Sequence, residues 1–288
     1  MSLIGSLSSG VTGLQTFSKD LEVIGNNIAN VNTTAYKSGS LGFSENFSNT
    51  LRSSQPSSGT TSNVLAAQIG TGVRFSGVNT NYNQGALSTT GQATDLGISG
   101  EGYFIVRDSS QGKDLTDSLA YATRVGSFRW DDKGYLVTAQ GLRVQDVAGK
   151  DIQISASASG APLQSVSINR AGQVIEFFTD GTDNSATPPQ QIGLMTFPQQ
   201  GALMNKGDGL FDGFQAAGVA TPLVLSAANA PGTGALGTIE AGTLEQSNVD
   251  LTSEFANMIT AQRSFQANAR VVTVSDSVLD DIVNLKRS

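Results

Sequence analysis

The chain has 288 residues, with 17 Lys and Arg against 24 Asp and Glu and a formal net charge of −7. That acidic balance argues against nucleic-acid binding, which needs clustered cations on phosphates, and no apolar run approaches the roughly 18 residues of a membrane span. Histidine and cysteine are both absent. This excludes Ser-His-Asp and Cys-His catalysis, disulfides, and thiolate or imidazole metal sites, so that an enzyme built on this chain would run on carboxylates, Lys, Tyr or Ser.

The first ten residues carry no Lys or Arg, and Ser and Gly interrupt their apolar residues. No cleavable signal is expected there. From Ile4, apolar residues recur at Leu7, Val11, Leu14, Phe17, Leu21, Ile24, Ile28 and Val31, in steps of three or four. That is one face of a helix. Gly10, Gly13 and Gly25 weaken it by up to ~1 kcal/mol each relative to Ala, so it should need a partner.

The helix runs into Gly25-Asn26-Asn27-Ile28-Ala29-Asn30-Val31-Asn32-Thr33-Thr34-Ala35-Tyr36-Lys37-Ser38. Asn competes for backbone hydrogen bonds and tolerates left-handed geometry. Asn26, Asn27, Asn30, Asn32 and Thr33 therefore read either as a frayed, side-chain-capped helix end or as a polar ladder that fixes register between helices.

Residues 53–63, rich in Ser, Thr and Gly, read as a loop or hinge. Short strands are expected at 104–106, 135–137, 166–168 and 174–178, each bounded by turn signals such as Asp132-Lys133-Gly134 and Asp180-Gly181. Their spacing predicts an antiparallel barrel or sandwich. Residues 227–237 form a second loop-like stretch. A last helix follows, with Leu251, Met258, Phe265, Val272 and Leu279 every seven residues and Phe255, Ala269 and Val283 on the adjacent seam, broken by Gln262 and Asp276. Heptad spacing predicts a coiled-coil or bundle helix, capped by Asn248 or Asp250 and closed by Lys286 and Arg287.

The Asn-rich motif resembles the N-terminal signature of the bacterial flagellar rod and hook proteins, and three further blocks resemble that family in its own order. They are Gln84-Gly85-Ala86-Leu87 with residues 95–104, residues 123–128 with 131–137, and residues 242–251 with 261–268. The resemblance implies an α+β chain whose long terminal helices form a coiled-coil-like inner domain around a central antiparallel β-rich domain. The expected division is 1–70, 71–240 and 241–288. Within the family, Ile24-Gly25-Asn26-Asn27-Ile28 and Tyr36-Lys37-Ser38 look closer to the hook type. The chain is nevertheless too short for a full hook outer domain, which is expected to be absent or vestigial. Ala35 stands where many relatives carry glycine, and a turn needing positive φ there would be strained.

The function implied is a structural subunit of the flagellar hook, polymerising into a helical tube that serves as a flexible joint. The closest alternative is the distal rod. Implied partners are further copies of the chain in an open helical polymer, the distal rod and hook–filament junction proteins, the hook cap and the type III export apparatus. No cofactor, nucleic acid or membrane insertion is implied, and the location is the flagellum outside the cell, reached without signal cleavage. Leu7, Val11, Leu14, Leu21, Ile24 and Ile28, with Leu251, Phe255, Met258, Phe265, Val272 and Leu279, are the expected assembly residues.

Two readings from other classes compete. A secreted β-domain adhesin with coiled-coil termini would form closed oligomers rather than open filaments. An enzyme could use the carboxylates Asp131-Asp132 or Asp280-Asp281, but turn and solvated-helix roles suit these positions better. Gly70-Thr71-Gly72 and Gly207-Asp208-Gly209 are too short for phosphate loops, and residues 180–184 lack calcium-ligand spacing.

Overall fold

The computed structural model describes residues 2–54, 63, 65–108, 120–154, 162–181, 183, 189–219, 223 and 225–285. The chain forms two compact units: residues 1–31, 38–81 and 249–288 make one, and 32–37 with 82–248 make the other.

The first unit holds the two long helices, α1 (Ser2–Ala29) and α2 (Leu251–Leu285). They pack on each other over much of their length. Asp250 caps α2, its Oδ1 accepting the Thr252 N–H at 2.9 Å, which satisfies one of the four donors a helix start leaves open. The expected cations at the other end, Lys286 and Arg287, lie outside the described residues.

Four strands between the helices were not expected. β1 (Gly39–Glu45) pairs antiparallel with β4 (Val73–Thr80), in register from Gly39 opposite Thr80 to Glu45 opposite Val73. β2 (Ser48–Arg52) pairs with β3 (Ala67–Gly70) as an exposed two-stranded ribbon. β1 packs on α1, with the Phe17 and Phe43 rings 5.5 Å apart. The expected division at 70/71 would separate β4 from β1, whereas the strands pair in one unit. Of the expected loop at 53–63, residues 55–62 lie outside the described residues.

The second unit is β-rich and antiparallel. β5 (Leu87–Thr89), β6 (Leu96–Ser99), β7 (Tyr103–Arg107), β8 (Ala120–Thr123), β9 (Arg129–Trp130), β10 (Leu136–Val137) and β11 (Arg143–Val144) come first. β12 (Leu163–Ile168), β13 (Val174–Phe178), β14 (Leu194–Met195), β15 (Met204–Gly207), β16 (Leu210–Asp212), β17 (Thr238–Ala241) and β18 (Thr243–Glu245) follow. An eight-stranded sheet runs β15-β16-β8-β7-β11-β10-β9, with β14 also on β7, and the ribbons β12–β13, β6–β17 and β5–β18 complete the unit.

β7, Tyr103-Phe104-Ile105-Val106-Arg107, is buried along its whole length. Successive side chains of a strand point to opposite faces, so β7 serves two cores. Phe104 and Val106 join Leu96, Ile98, Leu136 and Ile192 in one cluster, while Tyr103 and Ile105 join Phe197, Phe211 and Phe214 in the other. The continuous apolar run in the sequence is the mark of a strand buried on both faces.

Candidate assembly interface

Helix α1 turns mainly its smallest residues toward its partner. Gly10, Gly13 and Thr16 are buried, with Ile24 and Asn27 further along. A Cβ on Gly13 would sit 2.9 Å from the Asn268 side chain, and one on Gly10 would sit 3.0 Å from Val272. These two glycines, expected only to weaken the helix, are where α2 comes close. Ser6 and Ser275 meet across the same seam, Oγ to Oγ at 3.4 Å.

The facing residues of α2 repeat every seven positions at Glu254, Ala261, Asn268 and Ser275, all wholly or partly buried. That small and polar seam is covered beside Met258, Val272 and Leu279, whereas of the expected seam only Ala269 is partly buried. Phe255 is half exposed and Val283 faces solvent. Met258, Val272 and Leu279 are partly buried, and Leu251 and Phe265 are more open. On α1, Leu7, Leu14, Leu21 and Ile28 are partly buried flanking residues, Val11 is exposed, and among the described side chains of the expected stripe only Ile24 is buried.

The Asn motif divides between local and long-range roles. Asn30 Nδ2 donates to the Asn26 carbonyl at 2.9 Å, closing the helix end locally. Buried Asn27 instead pairs with Gly39 in both directions, Nδ2 donating to its carbonyl at 2.8 Å and Oδ1 accepting its N–H at 3.0 Å. Its amide thus substitutes for a neighbouring strand and fixes where β1 begins, so the ladder between helices is not what this residue builds. Asn32 and Thr33 are exposed in the turn that follows.

That turn contains Ala35, buried with φ of 55°. This is the left-handed conformation that the sequence flagged. Its N–H donates to the Glu245 carbonyl at 2.8 Å, an anchor that holds the residue in place.

Beside it lies a charge cluster that sequence reasoning did not assemble. Lys37 Nζ is 2.6 Å from Glu245 Oε1, and Arg124 Nη1 is 3.3 Å from Glu245 Oε2, all three side chains being essentially inaccessible. Lys37 also donates to the Asn83 carbonyl at 2.9 Å, the Gly85 N–H donates to Glu245 at 2.9 Å, and Arg124 Nη2 donates to the Gly100 carbonyl at 2.9 Å. Arg124 stacks over the Tyr103 ring at 5.2 Å. Burial lowers the Lys37 pKa against the attraction of Glu245, and burial raises that of Tyr103.

Two buried cations thus share one carboxylate. In sequence, Lys37, Asn83, Gly85 and Glu245 stand next to the points where the chain passes from one unit to the other. Gly85 has no room for a side chain, since a Cβ would fall 2.0 Å from the Gln246 carbonyl. Gln84 bridges the Ile98 carbonyl and the Gly100 N–H. Gln84, Gly85, Gly100, Arg124 and Glu245, drawn from three of the quoted sequence blocks, thus meet in and around this cluster, the root of the β unit.

Among the described residues no group of three or more acidic side chains is placed to hold a metal, and no helix is long and apolar enough to cross a membrane. Asp131 opens a tight turn closed by Gly134, and Asp280 and Asp281 are exposed on α2.

Residues 7–37 match the family described as flagella basal body rod protein, 97–176 the flagellar hook protein FlgE/F/G D1 domain, and 240–285 the flagellar basal body rod FlgEFG protein C-terminal. The flagellar basal-body rod protein FlgG of Bacillus subtilis is 39% identical over 285 residues, covering 99% of this chain and all of the relative. FlgG of Agrobacterium fabrum is 32% identical over 95% of this chain and 96% of its own length. The flagellar hook protein FlgE of Treponema pallidum is 38% identical over 167 residues, which is 56% of this chain and 34% of that protein.

Proposed function

The chain belongs to the flagellar rod and hook family, and from that premise we propose that it is the subunit of the distal rod, the drive shaft of the basal body. As a member of the family it is a flagellar structural protein and not an enzyme. Self-polymerisation and contact with neighbouring axial proteins follow from the family.

The observation that carries the rod reading is coverage. Relatives named as rod proteins align end to end with this chain, whereas the hook relative aligns over 34% of its length. The hook expectation rested on residues 24–38, and all of these but Ser38 lie within the segment that matches the rod family. A hook outer domain is then absent because a rod subunit has no need of one. The hook becomes the neighbour at one end, and hook cap and hook–filament junction partners belong to the alternative reading.

In this reading the chain leaves the cell through the type III export apparatus without signal cleavage and adds to an open helical polymer. The apolar side chains left exposed on α2 and half-buried on α1 are covered when copies pack. Each fully covered Leu, Ile, Val or Phe would contribute ~1.5–3 kcal/mol. A heterologous contact that does not close then propagates as a filament.

Electron microscopy of the concentrated full chain, beside a form lacking 1–31 and 251–288, tests this. Straight tubes from the full chain alone are expected. Curved tubes would favour the hook, closed particles of fixed size an adhesin, and filaments from the truncated form would rule out assembly through the helices.

A further inference from the structure

A groove and a ridge of the first unit match each other in length. The groove lies between α1 and β4 and consists of two adjoining hollows of about 590 and 480 Å³ that share Lys19 and Phe75. Its apolar wall is Leu14, Val23, Leu41, Val73, Phe75 and Val78, and Phe75 is 57% exposed. Along α1 it extends from Thr12 to Asn26, about 21 Å at 1.5 Å per residue.

The ridge is on α2. Val271, Val274, Val278, Ile282 and Leu285 recur at steps of three or four and are all exposed, Val274 at 61%. At 3.6 residues per turn they form one stripe, roughly a quarter turn from the face that meets α1, and the stripe is also about 21 Å long. Its flank carries Arg270 and Asp281. The groove rim carries Arg74 at the Thr12 end and Glu22 at the Asn26 end. Glu22 is paired with Lys19 at 2.7 Å, and none of Arg74, Arg270 and Asp281 has an ion-pair partner among the described residues.

We propose that the α1–β4 groove of one copy receives the 271–285 stripe of α2 from a second copy, laid antiparallel to α1. Asp281 then meets Arg74 and Arg270 meets Glu22. The mode is a helix in a groove, with anchors one helical turn apart. Groove and ridge are different surfaces of the same chain, so the contact is head-to-tail and leaves a free groove and a free ridge after every addition. This rests on the self-polymerising rod reading and specifies which surfaces mate.

The absence of cysteine makes the test clean. Full chains carrying Phe75→Cys are mixed with full chains carrying Val278→Cys, polymerised, oxidised and run on a non-reducing gel. The 75–278 heterodimer should exceed that from Phe75→Cys mixed with Thr273→Cys, an exposed position on another face of α2. In parallel, Arg74→Asp and Asp281→Arg should each lose pelletable polymer, and the double variant should regain it.

Filaments without a 75–278 excess, or single charge reversals that polymerise normally, would overturn the groove and leave the rod reading standing. So would single losses that the double reversal fails to repair. No filaments from the unaltered chain would remove both.

Discussion

The helix pair and the β-rich unit solve the burial problem in opposite ways. In the β unit, apolar side chains point inward on both faces of β7, and even the charged residues at its root are sealed and paired. In the helix pair, glycine, serine, threonine and asparagine hold much of the inside, while Phe255, Ile259, Val274 and Ile282 face out. Buried area drives stability roughly in proportion. The β unit therefore buries its apolar side chains within a single chain, whereas the helices leave many of theirs exposed.

The sharpest way to break this contrast is to disturb the root of the β unit. Glu245→Gln leaves Lys37 buried without its carboxylate and Arg124 with only the exposed Glu101 at 4.0 Å, and breaking a buried pair by removing one partner costs about 3–5 kcal/mol. The midpoint of denaturant unfolding of the β unit should fall accordingly. Lys37→Met should cost far less, because Arg124 and Glu245 remain balanced.

The two chains should also differ with pH. The Lys37 pKa is lowered by burial, so its folded state disfavours the charged form. Stability from this group is fully present above the unfolded value near 10.5 and is lost as pH falls through the lowered folded value. Wild type should gain on Lys37→Met as pH rises toward 10.5, and a pH-independent difference would contradict the assignment.

Next in size is a matched pair of packing changes, one in each unit. Ile105→Ala removes a fully buried side chain of β7 and should cost ~2–5 kcal/mol. Gly13→Leu acts on the helix pair by overpacking, since even an added Cβ would lie 2.9 Å from the Asn268 side chain, with an expected cost of ~1–3 kcal/mol. Hydrogen exchange should quicken in 103–107 for the first and in 2–29 and 251–285 for the second. Protection lost across both units in either variant would mean that the two regions do not fold independently.

Much of this was legible in the residues, and what was missed shares physical causes. The helices announced themselves through steps of three and four, and β7 and β13 through dense apolar runs. The seam between the helices did not, because periodicity is read from apolar residues and Ala261, Asn268 and Ser275 are small or polar. β1 to β4 are rich in Gly, Ser and Asn and mostly exposed, so they lack the inside–outside alternation that marks a strand. The charge cluster joins residues 208 positions apart, a pairing that local spacing cannot give. At Ala35, by contrast, the sequence raises the condition of a turn needing positive φ, and the residue has φ of 55°.

That turn supplies a smaller test. A non-glycine residue in the left-handed region is strained by ~1–2 kcal/mol. Ala35→Gly relieves this but frees the unfolded chain and removes a buried methyl, so the net change should stay within ~1 kcal/mol. Ala35→Val, β-branched at the same φ, should destabilise by ~1–3 kcal/mol.

The smallest expected effect on the single chain is the most informative for assembly. Phe255 is half exposed on α2, and surface substitutions away from special features usually stay within ±0.5 kcal/mol. Phe255→Ala should therefore leave the unfolding midpoint of the monomer unchanged and still reduce sedimentable polymer. A ring that stabilises only the assembled state has no other way to register. If Phe255→Ala destabilised the monomer as Ile105→Ala does, the side chain would be part of the fold of one chain. The contrast between a β unit that buries its apolar side chains and a helix pair that leaves them exposed would then fail at that position.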